Sequence, residues 1–253
     1  MKTAILLSIR EKSKRFPKKV LKELYGQTVT EHLIDRLKLA EGIDRIIIAT
    51  SDDPRDRVFE QIATKKNVNI YYGSQEDKLF RYLQICDHFH LDAVIIVDGD
   101  DILCFPEIMT ETAQKLKSRK FDVIFWKNLP VGARCSGLTK KALEKVMSLK
   151  DESDTEVWGG YFTKGHFKVS LNQPREKLFI HPEVRMTLDY PEDFDFFKAV
   201  FDELYEKNKA FTSSDLMKLL IYEKPEITRI NQEAQKKYEN HLLLSAPVKF
   251  KKQ

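Results

Sequence analysis

Short apolar runs alternate with longer amphipathic segments up to residue 126, and this alternation limits the folds that the chain can adopt. Strands are predicted at 4–8, 45–50, 68–72, 93–97 and 121–126, and helices at 29–39, 54–66, 75–90 and 106–118, with Ser74 as the N-cap of the third helix. Such alternation is typical of β-α-β units around a mostly parallel sheet. The run AVIIV at 93–97 is apolar at every position and is therefore expected in the centre of the sheet. The chain is thus predicted to have an α/β fold.

Beyond residue 130 the pattern is less regular. Helices are predicted near 140–147, at 191–205, from Ser213 or Ser214 to Tyr222 and at 231–241, and extended segments at 161–170 and 183–188. Because no repeat or Gly/Ser linker divides the chain, we expect one domain at 1–205 with a helical extension at 206–253 packed on it. The tail at 246–253 is expected to be frayed.

Glycine is scarce, with nine residues in 253, and its placement excludes two kinds of nucleotide-binding loop. No three glycines fit the dinucleotide pattern G-x-G-x-x-G. The single G-x-x-x-x-G, from Gly132 to Gly137, is followed by Leu138 and Thr139 instead of the Lys and Ser or Thr of a P-loop. If phosphates bind here, another kind of loop must hold them.

Bulk charge and cysteine content indicate the class of partner and the compartment. The 43 Lys and Arg against 39 Asp and Glu leave a net charge of +4, which favours small anionic ligands over nucleic acid. The three cysteines form no C-x-x-C pair and suggest a reducing compartment. No run of 18 apolar residues exists, so we expect a cytoplasmic protein that does not bind membranes.

A basic loop follows the first strand. The segment SIREKSKRFPKKVL, residues 8–21, carries six cationic side chains and one acid. Loops at the carboxyl ends of strands in open α/β sheets point into the ligand crevice. Arg and Lys donors can bind a polyphosphate there without a glycine-rich loop. A solvated basic loop explains the charge equally well on this evidence alone.

Acidic residues follow the fourth predicted strand. Asp98, Asp100 and Asp101 lie within four positions, and their carboxylates repel one another unless a cation offsets them. Mg²⁺ uses one or two protein carboxylates and completes its shell with water and substrate phosphates. The alternative is an Asp- and Gly-rich turn. The position at the tip of a buried strand favours the metal site.

A second acidic site is Asp189, between an extended segment and a helix with Pro191 near its start. From the residues alone, Asp189 is better explained as a helix N-cap than as a metal ligand.

Several motifs occur in one order along the chain. The basic loop fits R-x-x-S-x-R-x-P-x-K-x-L through Arg10, Ser13, Arg15, Pro17, Lys19 and Leu21. Further motifs are ATSDDP at 49–54, GSQEDKLFRYLQ at 73–84, GDD at 99–101 and RMTLDYPEDFDFF at 185–197. Together they resemble the cytidylyltransferases of the CMP-3-deoxy-manno-octulosonate synthetase and acylneuraminate type, with the spore-coat-polysaccharide branch most similar. The resemblance runs from residue 3 to about 205.

This resemblance implies a Rossmann-like, glycosyltransferase-A-like nucleotidyltransferase fold of three layers, often dimeric, so a homodimer is expected. It implies transfer of CMP from CTP to a sugar acid or related acceptor, with Mg²⁺ as cofactor and release of pyrophosphate, for surface-glycan biosynthesis. By position, the triphosphate would be bound by Arg10, Ser13, Arg15 and Lys19. Asp100 and Asp189 would be the magnesium ligands, which raises Asp189 above the capping interpretation. The catalytic set would be Arg10, Lys19, Asp100 and Asp189.

Three departures from the family pattern bear on the substrate. Lys18 stands where the family commonly has Gly, and Asp98 stands where the octulosonate enzymes have a Gln near the base. Trp158-Gly159-Gly160 replaces the usual acceptor-side sequence of the spore-coat branch.

Two other functions remain open at this point. Asp98-Gly99-Asp100 also fits the D-x-D motif of a metal-dependent glycosyltransferase that uses a nucleotide-sugar, although such an enzyme has less use for the basic loop. A catalytically silent paralogue that binds nucleotide is the second alternative, and retention of the loop and acidic residues argues against it.

Overall fold

The apolar runs form the strands of a central sheet in the computed structural model, which describes residues 1–206, 208–243 and 248–251. The strands are β1 (Thr3–Ser8), β2 (Glu23–Leu24), β3 (Gln27–Thr28), β4 (Arg45–Ser51), β5 (Asn69–Gly73), β6 (Ala93–Asp98), β7 (Val123–Trp126), β8 (Ser136–Thr139) and β9 (Val169–Asn172). The helices are α1 (Val29–Leu37), α2 (Phe59–Lys66), α3 (Lys78–His88), α4 (Pro106–Lys117), α5 (Lys140–Leu149), α6 (Pro191–Leu204), α7 (Ser213–Lys218) and α8 (Gln232–Leu243).

In the described part of the chain the main sheet has seven strands in the order β5-β4-β1-β6-β8-β7-β9. Every neighbouring pair is parallel except the two that β8 makes with β6 and β7, so β8 alone runs against the rest. The predicted central position of the apolar run AVIIV is confirmed, because β6 is the fourth strand of the seven. Strands β2 and β3 form a separate short hairpin.

The two faces of the sheet are covered by different helices, which makes three layers. Along β1, Ile5 and Leu7 join a buried cluster that includes side chains of α1, α2, α4, α6 and α7. Ala4 and Leu6 point to the opposite face and join a second buried cluster with α3 and α5. This arrangement follows from the two-residue period of a strand with apolar residues at every position. The predicted α/β class with a mostly parallel sheet is confirmed.

Helix α3 begins later than the sequence pattern indicated. Its N-cap is Asp77, whose Oδ1 accepts a hydrogen bond from the Phe80 amide at 3.0 Å. Ser74 instead accepts from the Asp77 amide at 3.0 Å, in the turn that precedes the helix. The prediction of Ser74 as the N-cap was therefore wrong. Ser74 and Asp77 are both residue types that suit an N-cap. Asp77 takes the position because the side chains of Lys150 and Thr155 donate hydrogen bonds to its carboxylate.

Other differences occur in the second half. The predicted extended segment at 161–170 is wrong for most of its length, because Gly159–Phe162 is a 3₁₀ turn and β9 starts at Val169. Helix α7 is capped by Thr212, one residue before the predicted Ser213. Beyond α7 the chain continues through a π turn at Leu219–Glu223 and a 3₁₀ turn at Pro225–Arg229 to α8.

The end of the described chain returns to the domain surface. Phe250 pairs with Lys150, and the Lys251 amide donates to the Leu149 carbonyl at 2.9 Å. The predicted frayed tail is therefore wrong for 248–251, while 246–247 and 252–253 lie outside the described residues. Within the described ranges, no helix has both the length and the apolar character required to cross a membrane.

Candidate active site

The basic loop and the acidic segment meet because β1 and β6 are neighbouring parallel strands. Ser8, the last residue of β1, is in register with Asp98, the last residue of β6. The Gly99 amide donates to the Ser8 carbonyl at 2.8 Å. A Cβ atom on Gly99 would lie 2.6 Å from Cγ1 of Ile9, so only glycine allows the two strand ends to approach this closely.

Asp100 and Asp189 share one cation. The Lys19 Nζ lies 2.8 Å from Oδ2 of Asp100 and 3.0 Å from Oδ1 of Asp189. The backbone brings the two acids together, because the Leu188 amide donates to the Asp100 carbonyl at 2.9 Å. Burial alone would lower the pKa of Lys19, but the charges of Asp100 and Asp189 outweigh burial and raise it. Lys19 is therefore charged at neutral pH.

Asp189 also binds two arginines. Arg15 donates to its Oδ1, and Nη2 of Arg185 donates to its Oδ2 at 3.1 Å. The Asp189 residue is buried. Burial alone would raise the pKa of Asp189, but the charges of Lys19 and then Arg15 keep the pKa below its ordinary value. We call Arg15, Lys19, Asp100, Arg185, Asp189 and Asp193 the Asp189 cluster.

At the start of helix α6, Asp193 and not Asp189 accepts hydrogen bonds from the backbone amides. Its Oδ2 accepts from the backbone amides of Asp189 at 2.8 Å and Tyr190 at 2.9 Å. Its carboxylate also receives two hydrogen bonds from Arg185, at 2.8 and 3.0 Å. The N-cap position belongs to Tyr190, so the capping interpretation of Asp189 was wrong. The Asp189 carboxylate is thereby left to bind cations. Sequence reasoning missed Arg185 and Asp193 as members of the site, although Asp193 stands at the third helical position that a capping box uses.

Arg10 lies in a different group of charges. Its Nη2 donates to Oε2 of Glu156 at 2.6 Å, and its Nη1 to the Gln75 carbonyl at 3.2 Å. Lys78 Nζ lies 3.0 Å from Oε1 of Glu156 and 3.8 Å from Oδ1 of Asp98. We call Arg10, Lys78, Asp98 and Glu156 the Glu156 cluster. The structure therefore divides the predicted site residues between two clusters.

Glu156 was not predicted from the sequence, because it lies in an irregular loop with no periodicity. Its neighbour Thr155 is fully buried and anchors the loop to the start of α3. The Thr155 hydroxyl donates to Oδ1 of Asp77 at 3.0 Å and accepts from the Leu79 amide at 3.2 Å. This anchor presents Glu156 to Arg10.

The remaining predicted residues have structural partners. Ser13 accepts a hydrogen bond from the Phe16 amide at 3.3 Å, within the turn of the basic loop. Asp101 is buried, and burial followed by the charges of Asp100 and Asp98 raises its pKa well above the ordinary value. The repulsion expected among the three acids is thus expressed at Asp101 as a raised pKa.

Lys18 adopts a left-handed backbone conformation, with φ of 54°. This geometry explains why glycine suits the position and why a lysine there is strained. Lys18, which stands where the family commonly has glycine, therefore occupies a position whose backbone conformation favours glycine.

The donors of Asp100 and Asp189 fit a divalent cation. Both carboxylates already bind the ammonium group of Lys19, and oxygen ligands from one or two carboxylates are what Mg²⁺ takes from proteins. In the described residues, no group of three or more His, Cys, Asp or Glu side chains is placed to hold a metal ion. A metal at this place would therefore depend on two acids and on oxygens from substrate or water.

Comparison with known proteins identifies the family of the chain. A family model described as cytidylyltransferase matches residues 4–248. The spore coat polysaccharide biosynthesis protein SpsF of Bacillus subtilis is 25% identical over 85% of this chain and 92% of its own length. A solved cytidylyltransferase from Leptospira borgpetersenii superposes with a TM-score of 0.82 at 22% identity, covering 90% of this chain and 97% of that chain. The structure of CMP:2-keto-3-deoxy-manno-octonic acid synthetase complexed with CTP gives a TM-score of 0.63 at 13% identity, over 80% of this chain and 99% of that one. The motif resemblance and the predicted fold are confirmed, and the chain belongs to the cytidylyltransferase family of nucleotidyltransferases.

Proposed function

We propose that the protein transfers CMP from CTP to a sugar acid or related acceptor, with Mg²⁺ and with release of pyrophosphate, in surface-glycan biosynthesis. The observation that carries the proposal is the joint binding of Lys19 by Asp100 and Asp189 at the carboxyl edge of the sheet. The two acids supply the negative charge that a metal ion requires, and the basic loop beside them supplies the positive charge that a nucleoside triphosphate requires.

Asp100 and Asp189 would hold the magnesium ion. When bound, Mg²⁺ neutralises charge on the α-phosphate and polarises the acceptor hydroxyl as a Lewis acid. The residues of the chain supply the remaining functions, which are to bind, orient and neutralise the substrate.

Arg15 and Lys19 are proposed to donate to triphosphate oxygens as the pyrophosphate leaves. Both are cationic and partly exposed, with 31% of the Arg15 side chain and 11% of the Lys19 side chain accessible. Preorganised cations of this kind stabilise charge that develops on a leaving group. In the described residues, no histidine is hydrogen-bonded to Arg15, Lys19, Asp100 or Asp189. No imidazole is therefore proposed as the base that removes the proton of the acceptor hydroxyl.

Arg10 is proposed to bind the same triphosphate from the other side of the loop. Arg10 can bind phosphate while it remains paired with Glu156. A guanidinium has five N–H donors, and the contacts with Glu156 and the Gln75 carbonyl use two of them. Ser13 is proposed to donate its hydroxyl proton to phosphate while accepting from the Phe16 amide. Asp98, half-exposed beside Lys78, is proposed to lie near the nucleotide base.

The names of similar proteins support the acceptor class. SpsF is named for polysaccharide biosynthesis, and the synthetase structure for a keto sugar acid and CTP. The cytoplasmic location and the homodimer remain predictions from the sequence. Gel filtration with light scattering tests the dimer directly.

A pyrophosphate-release assay tests the function. The four nucleoside triphosphates are each combined with Mg²⁺ and a panel of sugar acids, and only CTP with a sugar acid is expected to release pyrophosphate. Asp100→Asn, which keeps the side-chain volume, is the matched inactive control. Turnover only with a preformed nucleotide-sugar would identify a glycosyltransferase and contradict the proposal.

A further inference from the structure

The C-terminal helix is docked on the Asp189 cluster. The side-chain amide of Asn231 donates to Oδ1 of Asp193 at 2.9 Å, and Nη1 of Arg185 donates to Oε1 of Gln235 at 3.1 Å. Ala234, between these two, is fully buried. Helix α8 and the residue before it therefore contact the residues that hold Asp189.

One side chain of this helix reaches the arginines themselves. The Tyr238 ring centroid lies 5.3 Å from Cζ of Arg185 and 5.9 Å from Cζ of Arg15. Tyr190 makes the same pair of contacts, at 6.0 Å and 5.6 Å. The two guanidinium groups that bind Asp189 thus both contact the same two tyrosine rings.

Arg185 is held by several groups, but Arg15 is held by fewer. Arg185 is buried and donates hydrogen bonds to Asp189, Asp193 and Gln235. Arg15 has a partly exposed side chain and forms an ion pair with one oxygen of Asp189. A guanidinium bound at one oxygen can turn about that bond, and contact with aromatic faces limits the turning.

We infer that Tyr238 is a positioning residue of the active site, which holds the Arg15 guanidinium against Asp189 in the orientation that binds the triphosphate. The inference rests on the proposed use of CTP, and it adds α8 to the active site. Tyr238 acts through Arg15, since its ring lies against the guanidinium groups of Arg15 and Arg185.

The test measures nucleotide affinity of the full chain by calorimetry in Mg²⁺, for CTP and for CMP. Tyr238→Leu removes the aromatic face, and we expect it to weaken CTP binding about tenfold while leaving CMP binding within about twofold, in line with a partly desolvated cation–π contact. Tyr238→Phe keeps the ring and should retain the affinity of the unaltered protein. Tyr222→Leu is the matched control, because Tyr222 is 71% exposed and lies outside the cluster.

A double-mutant cycle separates positioning from packing. In an Arg15→Ala background, Tyr238→Leu is expected to cause no further loss of CTP affinity, because the residue it positions is gone. Equal losses in both backgrounds, or a Tyr238→Phe loss as large as that of Tyr238→Leu, would overturn the inference. Tyr238→Met replaces the leucine variant in the cycle if the latter does not fold. Failure of the unaltered protein to bind CTP would instead contradict the proposed function, which separates the two results.

Discussion

The Asp189 cluster and the Glu156 cluster lie at the same edge of the sheet and use the same residue types, yet their surroundings differ. The side chains of Arg185 and Asp193 are 2% and 0% exposed, whereas those of Arg10 and Glu156 are 34% and 51% exposed. In each cluster one lysine is shared by two carboxylates, Lys19 by Asp100 and Asp189 and Lys78 by Glu156 and Asp98. Burial therefore distinguishes the Arg185–Asp193 pair from the Arg10–Glu156 pair.

This difference decides what each cluster can contribute. Each charge of a buried ion pair depends on the other, because removing one leaves the second buried without a counter-charge or water. An exposed pair is screened by water and salt, so its partners can separate at small cost. We expect the Asp189 cluster to hold a rigid cation site and the Glu156 cluster to exchange partners when substrate binds.

The largest expected effect is the loss of turnover in Asp189→Asn. Because Asp189 binds Arg15, Lys19 and Arg185, its neutralisation should reduce pyrophosphate release on the order of 10²–10³-fold, as for loss of one transition-state contact. Glu156→Gln, the matched change in the other cluster, should cost less than about tenfold. Circular dichroism checks that both variants fold. Similar losses in the two variants would remove the distinction between the clusters.

The clusters should also differ in their contribution to stability. Arg185→Met leaves the buried carboxylate of Asp193 without its partner and should lower the free energy of unfolding by about 3–5 kcal/mol. Arg10→Met removes the partner of Glu156 and should cost less than about 1 kcal/mol, since both side chains contact solvent. Equilibrium urea unfolding measures both values. A loss for Arg10→Met as large as for Arg185→Met would show that exposure does not separate them.

Acid sensitivity gives a third comparison. Burial alone would raise the pKa of Asp189 and of Glu156, but nearby cations outweigh it and lower both: Lys19 and Arg15 for Asp189, Lys78 and Arg10 for Glu156. Because the folded pKa values are depressed, each acid stabilises the fold above its unfolded pKa and loses that contribution as pH falls through the folded value.

The free energy of unfolding should therefore fall as the pH decreases below about 5. Asp189→Asn should remove more of this slope than Glu156→Gln, because Asp189 is the more buried acid. Urea unfolding at a series of pH values measures the slopes. Equal slopes for the two variants would count against the argument from burial.

The smallest expected effect concerns the backbone of the basic loop that joins both clusters. Lys18→Gly relieves the left-handed conformation and should raise stability by up to about 1 kcal/mol, reduced by the greater freedom of glycine in the unfolded chain. Lys14→Gly is the control, since Lys14 is an exposed lysine of the same loop outside the positive-φ residues. Thermal unfolding compares the two, and a greater gain for Lys14→Gly would contradict the strain at Lys18.

Much of the fold was predictable because its signals are local. The strands β1, β4 and β6 and the helices α1, α4 and α6 follow from apolar periodicity and from proline at the starts of α4 and α6. The start of α3 was not predictable, because Ser74 and Asp77 both suit an N-cap and a distant threonine selects between them. Strand β8 was missed because its sequence, Ser-Gly-Leu-Thr, contains no apolar run, unlike β7 of the same length.

By itself, the sequence determined that a basic loop and an acidic turn follow two parallel strands, and it carried the motifs of the family. The tertiary structure decided which cation binds which acid. Arg10 meets Glu156 across 146 positions, and Arg15 meets Asp189 across 174. It also brought Tyr238 of α8 to the site. Contacts of this separation depend on strand order and on the path of the chain over the sheet, for which local periodicity holds no information.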